Sequence, residues 1–523
     1  MKTLLMDRNH DFARSSELPA SPTELEQDLD AAAILNAMAA GDAFLLDVAR
    51  TALLESLTEP AAILYRQQIL SDCLAQASTV RELYHHAVEA IERERKVWGA
   101  MLKDYPEGAL YRSVEVLGVF AEIFDRLRNL AQNEGPKFKS EGFTRFFTML
   151  HDELSDEYLA TIHDQLEALA LRTGVHMTAQ LGVGGKGVHY LLQKPENTKR
   201  SWKFRFESLK DSMGLSDRNS YSYEIPDRDE TGFRALSEIR AQGIAQIAAA
   251  LANSTDHILG FFKTLRTELA FYMGCLNLYD RLTAKDEPVT MPVVTPESSL
   301  VFTTQGLYDV ALSLSMEGRA TGNDLNANNK LLLIVTGANR GGKSTFLRST
   351  GLAMLMMQAG MFVGATEFSA DVRSGLFTHF KREEDARMKS GKFDEELARM
   401  SRIVDQLDHR SMVFLNESFA ATNEREGSEV ARQILRALHE RGIKVIYVTH
   451  MYDLAHGLFV EQDASNLFLR AERLADGSRT YHIRPGEPLR TSFGEDLYKK
   501  IFKQKPATTS DDPSGNQDTV HAT

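Results

Sequence analysis

Gly337-x-x-x-x-Gly342-Lys343-Ser344 has the spacing of a phosphate-binding loop. Glycines at 337, 341 and 342 let the backbone turn tightly and aim its N–H groups at phosphate oxygens. A helix starting behind them adds positive potential where those phosphates sit. Lys343 then reaches the β- and γ-phosphates of a nucleotide, and the Ser344 hydroxyl ligates Mg²⁺. With Gly near ~7 % of residues, the four fixed positions coincide by chance in only about 2 % of chains this long. Gly337, Ala338, Asn339, Arg340, Gly341, Gly342, Lys343, Ser344 and Thr345 are therefore the expected ATP-binding loop.

A second polar pair, Asn416-Glu417, ends the apolar run 412–415. In such sites an Asp at the first position normally holds the Mg²⁺ shell, and a following Glu orients the attacking water. Glu417 is the expected catalytic base. Asn416 can hydrogen-bond a metal-bound water but supplies no charge, which weakens Mg²⁺ binding or turnover. A third apolar run, 443–448, delivers Thr449 and His450. Ligands bind at the C-terminal ends of strands in open α/β sheets, so His450 is expected beside the γ-phosphate.

These side chains need elements to position them. Five consecutive apolar residues, 331–335, suit a strand buried on both faces of a parallel sheet, and 346–357 reads as a helix. From about 290 strands and helices alternate, the α/β signature. Upstream, apolar positions recur at helical spacing to about 172. Tyr84, Val88, Ile91 and Trp98 form one run, and Leu117, Phe120, Phe124 and Leu127 another. Ser21, with Glu24 three residues on, is placed to cap a helix beginning near Pro22, and Ser155 starts a later one. Residues 174–227 change character. The glycine-dense 181–187 is a turn, because no Lys-Ser/Thr follows it, and 188–192 and 202–206 are short strand candidates. The helical pattern returns at Thr231 and holds to Leu282. Two long helices with a small β insert between them make a lever with something at its tip. Beyond Ile501 the composition is that of a disordered tail.

A chain of 523 residues is too long for one ordinary core, so several domains are expected. The net charge of −13 argues against non-specific coating of nucleic acid, while leaving room for a local basic patch. Cys73 and Cys275 provide neither a disulfide framework nor metal-ligand spacing, as in a reducing cytosol. No signal-peptide pattern and no bilayer-spanning run is visible. The expectation is a cytoplasmic protein without a membrane partner.

Thr336-Gly-Ala-Asn-Arg-Gly-Gly-Lys-Ser-Thr345 resembles the TGPNxGGKST of the MutS mismatch-repair ATPases. The resemblance continues in order through 360–365, 393–397, 415–422 with Glu426-Gly427, 449–454 and 491–494, so it covers roughly 300 to 503. More weakly, Glu59-Pro60 with Tyr65-Arg-Gln-Gln68 is similar to the start of the family's helical core. It implies a multidomain protein: a mainly α-helical core/lever domain with a small β insert, then an α/β P-loop NTPase domain of ABC-like type. The corresponding boundaries are an N-terminal segment 1–25, a core/lever domain 26–290 with a clamp-like insert at 174–227, an ATPase domain 291–505 and a tail 506–523. It also implies ATP and Mg²⁺ as cofactors, a homodimer with composite ATP sites, and mismatched or branched DNA as partner. Departures accompany the likeness. Ala338 stands for the family's proline and Asn416 for its Walker B Asp. The loop that completes the partner's site reads Ser390-Gly-Lys-Phe393, with its Ser displaced. Ala320 falls near an adenine-stacking aromatic, and no domain carrying the mismatch wedge precedes Glu59.

Lys199-Arg-Ser-Trp-Lys-Phe-Arg-Phe206 alternates. Trp202, Phe204 and Phe206 share one face of a strand, Lys203 and Arg205 the other, with Lys199 and Arg200 just before. By family analogy the insert sits where a DNA-gripping clamp would be, and these basic groups would neutralise phosphates without reading sequence. An amphipathic strand with a solvated face accounts for the same pattern. Two functions stay open: an ATP-driven dimeric clamp on DNA in repair, and a slow ATPase switch acting on a protein or ribonucleoprotein partner. A transporter-associated ATPase is disfavoured by the lack of a membrane-coupling segment.

Overall fold

The computed structural model describes residues 1–13, 22–97, 106–171, 177–185, 187–193, 230–296, 299–382 and 391–490. Lys199, Arg200, Lys203 and Arg205, the 202–206 strand candidate, Ser21, Ser390, the 491–494 motif and the tail lie outside the described residues. The chain forms two compact units. The first comprises Met1–Glu17, Leu35–Ala52 and Ala61–Tyr279; the second comprises Leu18–Ile34, Leu53–Pro60 and Asp280–Thr523.

Helices α1 (Pro22–Asp28), α2 (Ala31–Ala39) and α3 (Ala43–Glu55) come first in the chain. The first unit is helical. Its main members are α4 (Pro60–Ala75), α5 (Ala77–Lys96), α6 (Pro106–Glu134), α7 (Glu141–Glu153), α8 (Asp156–Leu169) and α9 (Glu230–Thr283). Helical periodicity explains them: α5 buries Val80, Leu83, Ala87, Ala90 and Ile91, a stripe with steps of three and four. The Ser155 hydroxyl caps α8, accepting from Tyr158 N–H at 3.2 Å. The 54 residues of α9 span roughly 80 Å. Phe262 on this helix packs against Phe120 and Phe124 of α6, each pair with ring centroids 5.2 Å apart. Between α8 and α9, β1 (Met177–Leu181) and β2 (Gly187–Leu192) form an antiparallel hairpin across the glycine-dense turn. β1 alternates Met177, Ala179 and Leu181 with Thr178 and Gln180, yet it is exposed from Thr178 onward and buries no face.

In the second unit a six-stranded sheet has the order β12-β11-β6-β10-β9-β8. β6 (Leu332–Gly337), β8 (Leu376–Phe380), β9 (Met412–Asn416), β10 (Lys444–Val448) and β11 (Asn466–Arg473) are parallel. β12 (Arg479–Pro485) closes one edge antiparallel to β11. The three apolar runs are its centre, buried on both faces. Ile334, Val413, Leu415, Val445 and Tyr447 meet α12 (Lys392–Val404), α13 (Glu424–Glu440) and α14 (Tyr452–Val460). The alternate residues Leu333, Val335, Phe414 and Ile446 are fully buried toward the opposite face. Helix α11 (Lys343–Gln358) packs along β6, β9 and β10. It begins at Lys343, three residues before the apolar pattern starts, because Gly342 in the left-handed region ends the loop and turns the chain directly into the helix. A second sheet, β3 (Val293–Thr295), β7 (Glu367–Asp371), β4 (Phe302–Leu307) and β5 (Asn323–Asn326), is mixed, with the short helix α10 (Val310–Ser315) between β4 and β5 in the chain. Among the described residues no helix is long and apolar enough to cross a membrane.

Candidate nucleotide site

β6 runs into the loop 337–342, and α11 leaves it. Gly337 has φ +109°, and a Cβ there would stand 2.9 Å from the Ala471 nitrogen, so only glycine fits beside β11. Lys343 is buried under the loop, its ammonium donating to Gly337 O and Ala338 O at 3.1 Å each. Burial pulls its pKa below the ordinary lysine value. The Glu417 carboxylate opposes that shift, and the Arg479 cation adds to it. Ser344 donates its hydroxyl to Asn416 Oδ1 at 2.9 Å, which ties the first turn of α11 to the end of β9. Thr345, Gly342 and the exposed Arg340 line the neighbouring cavity, while Asn339 is exposed and does not line it.

Glu417 follows Asn416 with φ 52°, an uncommon conformation for a residue with a Cβ, and its N–H donates to Val448 O at 2.8 Å. That bend brings its carboxylate to 3.8 Å from His450 Nδ1. The imidazole beside it holds the Glu417 carboxyl below the usual carboxylate range against the upward push of burial, with Lys381 and Lys343 helping. Lys343, the Ser344–Asn416 pair, Glu417 and His450, all singled out by sequence position, stand together at the C-terminal ends of three adjacent strands.

Two participants were not anticipated. His379 on β8 is fully buried, stacked on Phe419 with centroids 5.4 Å apart. Its Nε2–H meets Glu396 O at 3.0 Å, so Nδ1 is left to accept, 2.7 Å from Ser418 Oγ. It fastens the segment after Glu417 to α12. Burial drives its pKa down to about 3, so the ring is neutral. Tyr481 on β12 has φ 63° and is half-exposed. It shares with Thr345, Arg319, Ala320 and Leu312 a cavity of about 390 Å³ beside the loop. Glu287 holds the backbone at Ala320, accepting from Ala320 N–H and from the Ser313 hydroxyl, both at 2.7 Å. Aromatic rings thus line the cavity beside Ala320, those of Tyr308, Phe346 and Tyr481. Hydrophobic pattern does not mark Tyr481 as part of a site, because what ties its strand to this cavity is Asn323 of β5, far away along the chain, whose amide oxygen accepts from Ile483 N–H at 2.7 Å. A larger cavity of about 670 Å³ lies on the mixed sheet and shares no lining residue with the loop.

The residues fit a nucleotide phosphate group. The glycine-only approach of the backbone, the N-terminus of α11 and the Lys343 ammonium offer donors and positive potential in one place. For a magnesium ion the nearby protein oxygens are the Ser344 hydroxyl and the Asn416 amide, both neutral. Among the described residues no group of three His, Cys, Asp or Glu could hold a metal by itself. Such a donor set suits an ion held largely by phosphate and water.

Two family models match the chain: MutS2 N-terminal domain over residues 58–285, and MutS domain V over residues 333–502. The DNA mismatch repair protein MutS of Thermus aquaticus is 34% identical over 177 residues, 34% of this chain and 21% of that protein. A protein of the same name from Chloroflexus aurantiacus is 30% identical over 179 residues, 31% of this chain and 18% of that protein. Endonuclease MutS2 of Streptococcus pyogenes serotype M18 is 28% identical over 326 residues, 57% of this chain and 40% of that protein. The chain spans less than half the length of these relatives.

Proposed function

The chain belongs to the MutS family, and from that premise we propose that it is a P-loop ATPase whose nucleotide state governs its hold on DNA. The observation that carries this reading is the convergence at the C-terminal ends of β6, β9 and β10 of Lys343, Ser344 with Asn416, and Glu417 with His450. The loop N–H groups and Lys343 would hold the β- and γ-phosphates. Glu417, ionised at neutral pH, would orient the attacking water and draw its proton as the water oxygen bonds to the γ-phosphorus and the bond to the β,γ-bridging oxygen breaks, releasing ADP and phosphate; His450 would keep that carboxylate charged. Ser344 directly, and Asn416 through water, would hold magnesium, which when bound neutralises phosphate charge. Tyr481 would offer its ring to the base.

Lys343→Ala is expected to abolish ATP binding or hydrolysis, and wild-type hydrolysis in that variant would remove the assignment. Glu417→Gln should keep ATP bound while turnover stops; loss of both together would argue against Glu417 as base. The DNA half of the reading draws on the relatives' names and on Lys199, Arg200, Lys203 and Arg205. Mismatched or branched duplex is the proposed target, and a homodimer with composite sites the proposed assembly. One observation favours a second reading, a slow nucleotide switch acting on a protein or ribonucleoprotein: Asn416 brings no charge to the metal shell. Binding to homoduplex, mismatched and branched DNA, measured with ADP and with ATP, separates the two. No salt-sensitive DNA binding in any state would leave the switch.

A further inference from the structure

Helix α11 holds the phosphate loop at one end and something quite different at the other. Gln358, its last residue, is fully buried and uses its whole side-chain amide. Oε1 accepts from Arg373 N–H at 3.0 Å, and Nε2 donates to Arg373 O at 3.0 Å, Ser56 Oγ at 2.9 Å and Leu57 O at 3.2 Å. The backbone partners fix which end of the amide is which, since an N–H must meet oxygen and a carbonyl must meet nitrogen. Gln358 O also accepts from Leu57 N–H at 2.9 Å. Two turns earlier on the same helix face stands Gly351, where a Cβ would come within 2.5 Å of Leu29 Cδ2, itself fully buried. One turn earlier again, Arg348 reaches Asp30 at 3.7 Å while holding Asp309 at 2.6 Å.

All of these partners apart from Arg373 and Asp309 lie in the two short N-terminal segments that cluster with the second unit, Leu18–Ile34 and Leu53–Pro60. Each segment runs without a break into a helix continuing in the first unit, α2 or α4. Ser56 is held at φ 51°, so the second segment is pinned in a conformation its own backbone disfavours. A regular helix of 16 residues is a stiff rod of about 24 Å. A tilt or shift set at its phosphate end is therefore delivered at Gln358.

We propose that Gln358, seconded by the close Gly351–Leu29 contact, couples the phosphate loop to residues 29–30 and 56–57, and through them to α2 and α4. This rests on the nucleotide reading above and adds the route by which nucleotide is felt elsewhere in the chain. Gln358 is a positioning residue, since it acts only through α11. The test is hydrogen–deuterium exchange on the full chain with and without a non-hydrolysable ATP analogue. In the wild type, peptides covering 337–345 and those covering 26–34 and 53–60 should all slow when the analogue binds. In Gln358→Met the loop peptides should still slow, and the nucleotide-dependent difference at 53–60 should be lost. A purely structural role would quicken exchange at 53–60 equally in both conditions and leave that difference intact, which overturns the proposal. Should Gln358→Met not fold, the wild type alone decides, because slowing at 337–345 with none at 26–34 or 53–60 overturns it equally. No slowing at 337–345 would instead strike the nucleotide reading, and the coupling with it.

Discussion

At the scale of single residues, the pair Glu417–His450 has the most direct consequence for chemistry. The imidazole at 3.8 Å is the largest influence holding the Glu417 carboxyl low, and it outweighs burial. Removing it leaves burial as the dominant influence, so the carboxyl pKa must rise. In His450→Ala the acid limb of the pH–rate profile for ATP hydrolysis should move to higher pH, because a base is lost when its proton returns. An unshifted limb would show that Glu417 is not the group titrating. The sequence made these groups legible because each sits at a fixed offset from an apolar run: Lys343 and Ser344 after 331–335, Glu417 after 412–415, His450 after 443–448. His379 and Tyr481 carry no such offset. The first is known only from its burial against Phe419, the second only from the contact of β12 with Asn323 of β5.

At the scale of elements, the central parallel strands announce themselves by continuous apolar runs, and the mixed sheet does not. β5 reads Asn-Asp-Leu-Asn and β7 Glu-Phe-Ser-Ala-Asp, too short and too polar to be distinguished from loop without their partners. The packing around them holds an exception to the apolar rule. Lys444, the first residue of β10, is fully buried, with its ammonium 5.0 Å from the centroid of the Phe302 ring of β4 and without a hydrogen-bond partner among the described residues. Burial pulls its pKa to about 7; Arg373 adds to the shift and Asp371 opposes it. Between about pH 7 and the ordinary lysine pKa the unfolded chain binds more protons than the folded one, so by linkage the stability from this group rises with pH. Above that window its burial carries no charge penalty, and below pH 7 the penalty is complete. Lys444→Met should therefore raise the melting temperature of the second unit at pH 7 and flatten its rise toward pH 10, since an apolar side chain of similar length replaces a buried charge. An equal rise with pH in both proteins would assign the dependence to other groups.

At the scale of the whole molecule, the division into a helical unit and an α/β unit follows from a change of hydrophobic period near residue 290. What the sequence did not announce is that Leu18–Ile34 and Leu53–Pro60 fold with the second unit, because their partners Gly351 and Gln358 are hundreds of residues away. If the segment 390–393 completes a site on a second copy, ATP should favour a dimer, and light scattering that finds a monomer in every nucleotide state would remove the composite site. Another expectation concerns the alternating basic and aromatic residues 199–206. The chain as a whole is acidic at −13, so any grip on a phosphate backbone must be local. Reversing Lys199, Arg200, Lys203 and Arg205 to Glu should weaken binding to all DNA sequences alike, because phosphate contacts carry no sequence information. It should also flatten the dependence of log K on log salt, by up to about 0.9 for each phosphate of B-form DNA that is no longer neutralised. ATP hydrolysis without DNA should survive, since all four positions are far from the phosphate loop along the chain. Unchanged affinity and salt slope in a folded variant would make the stretch a solvated face and leave DNA binding to be sought elsewhere on the chain.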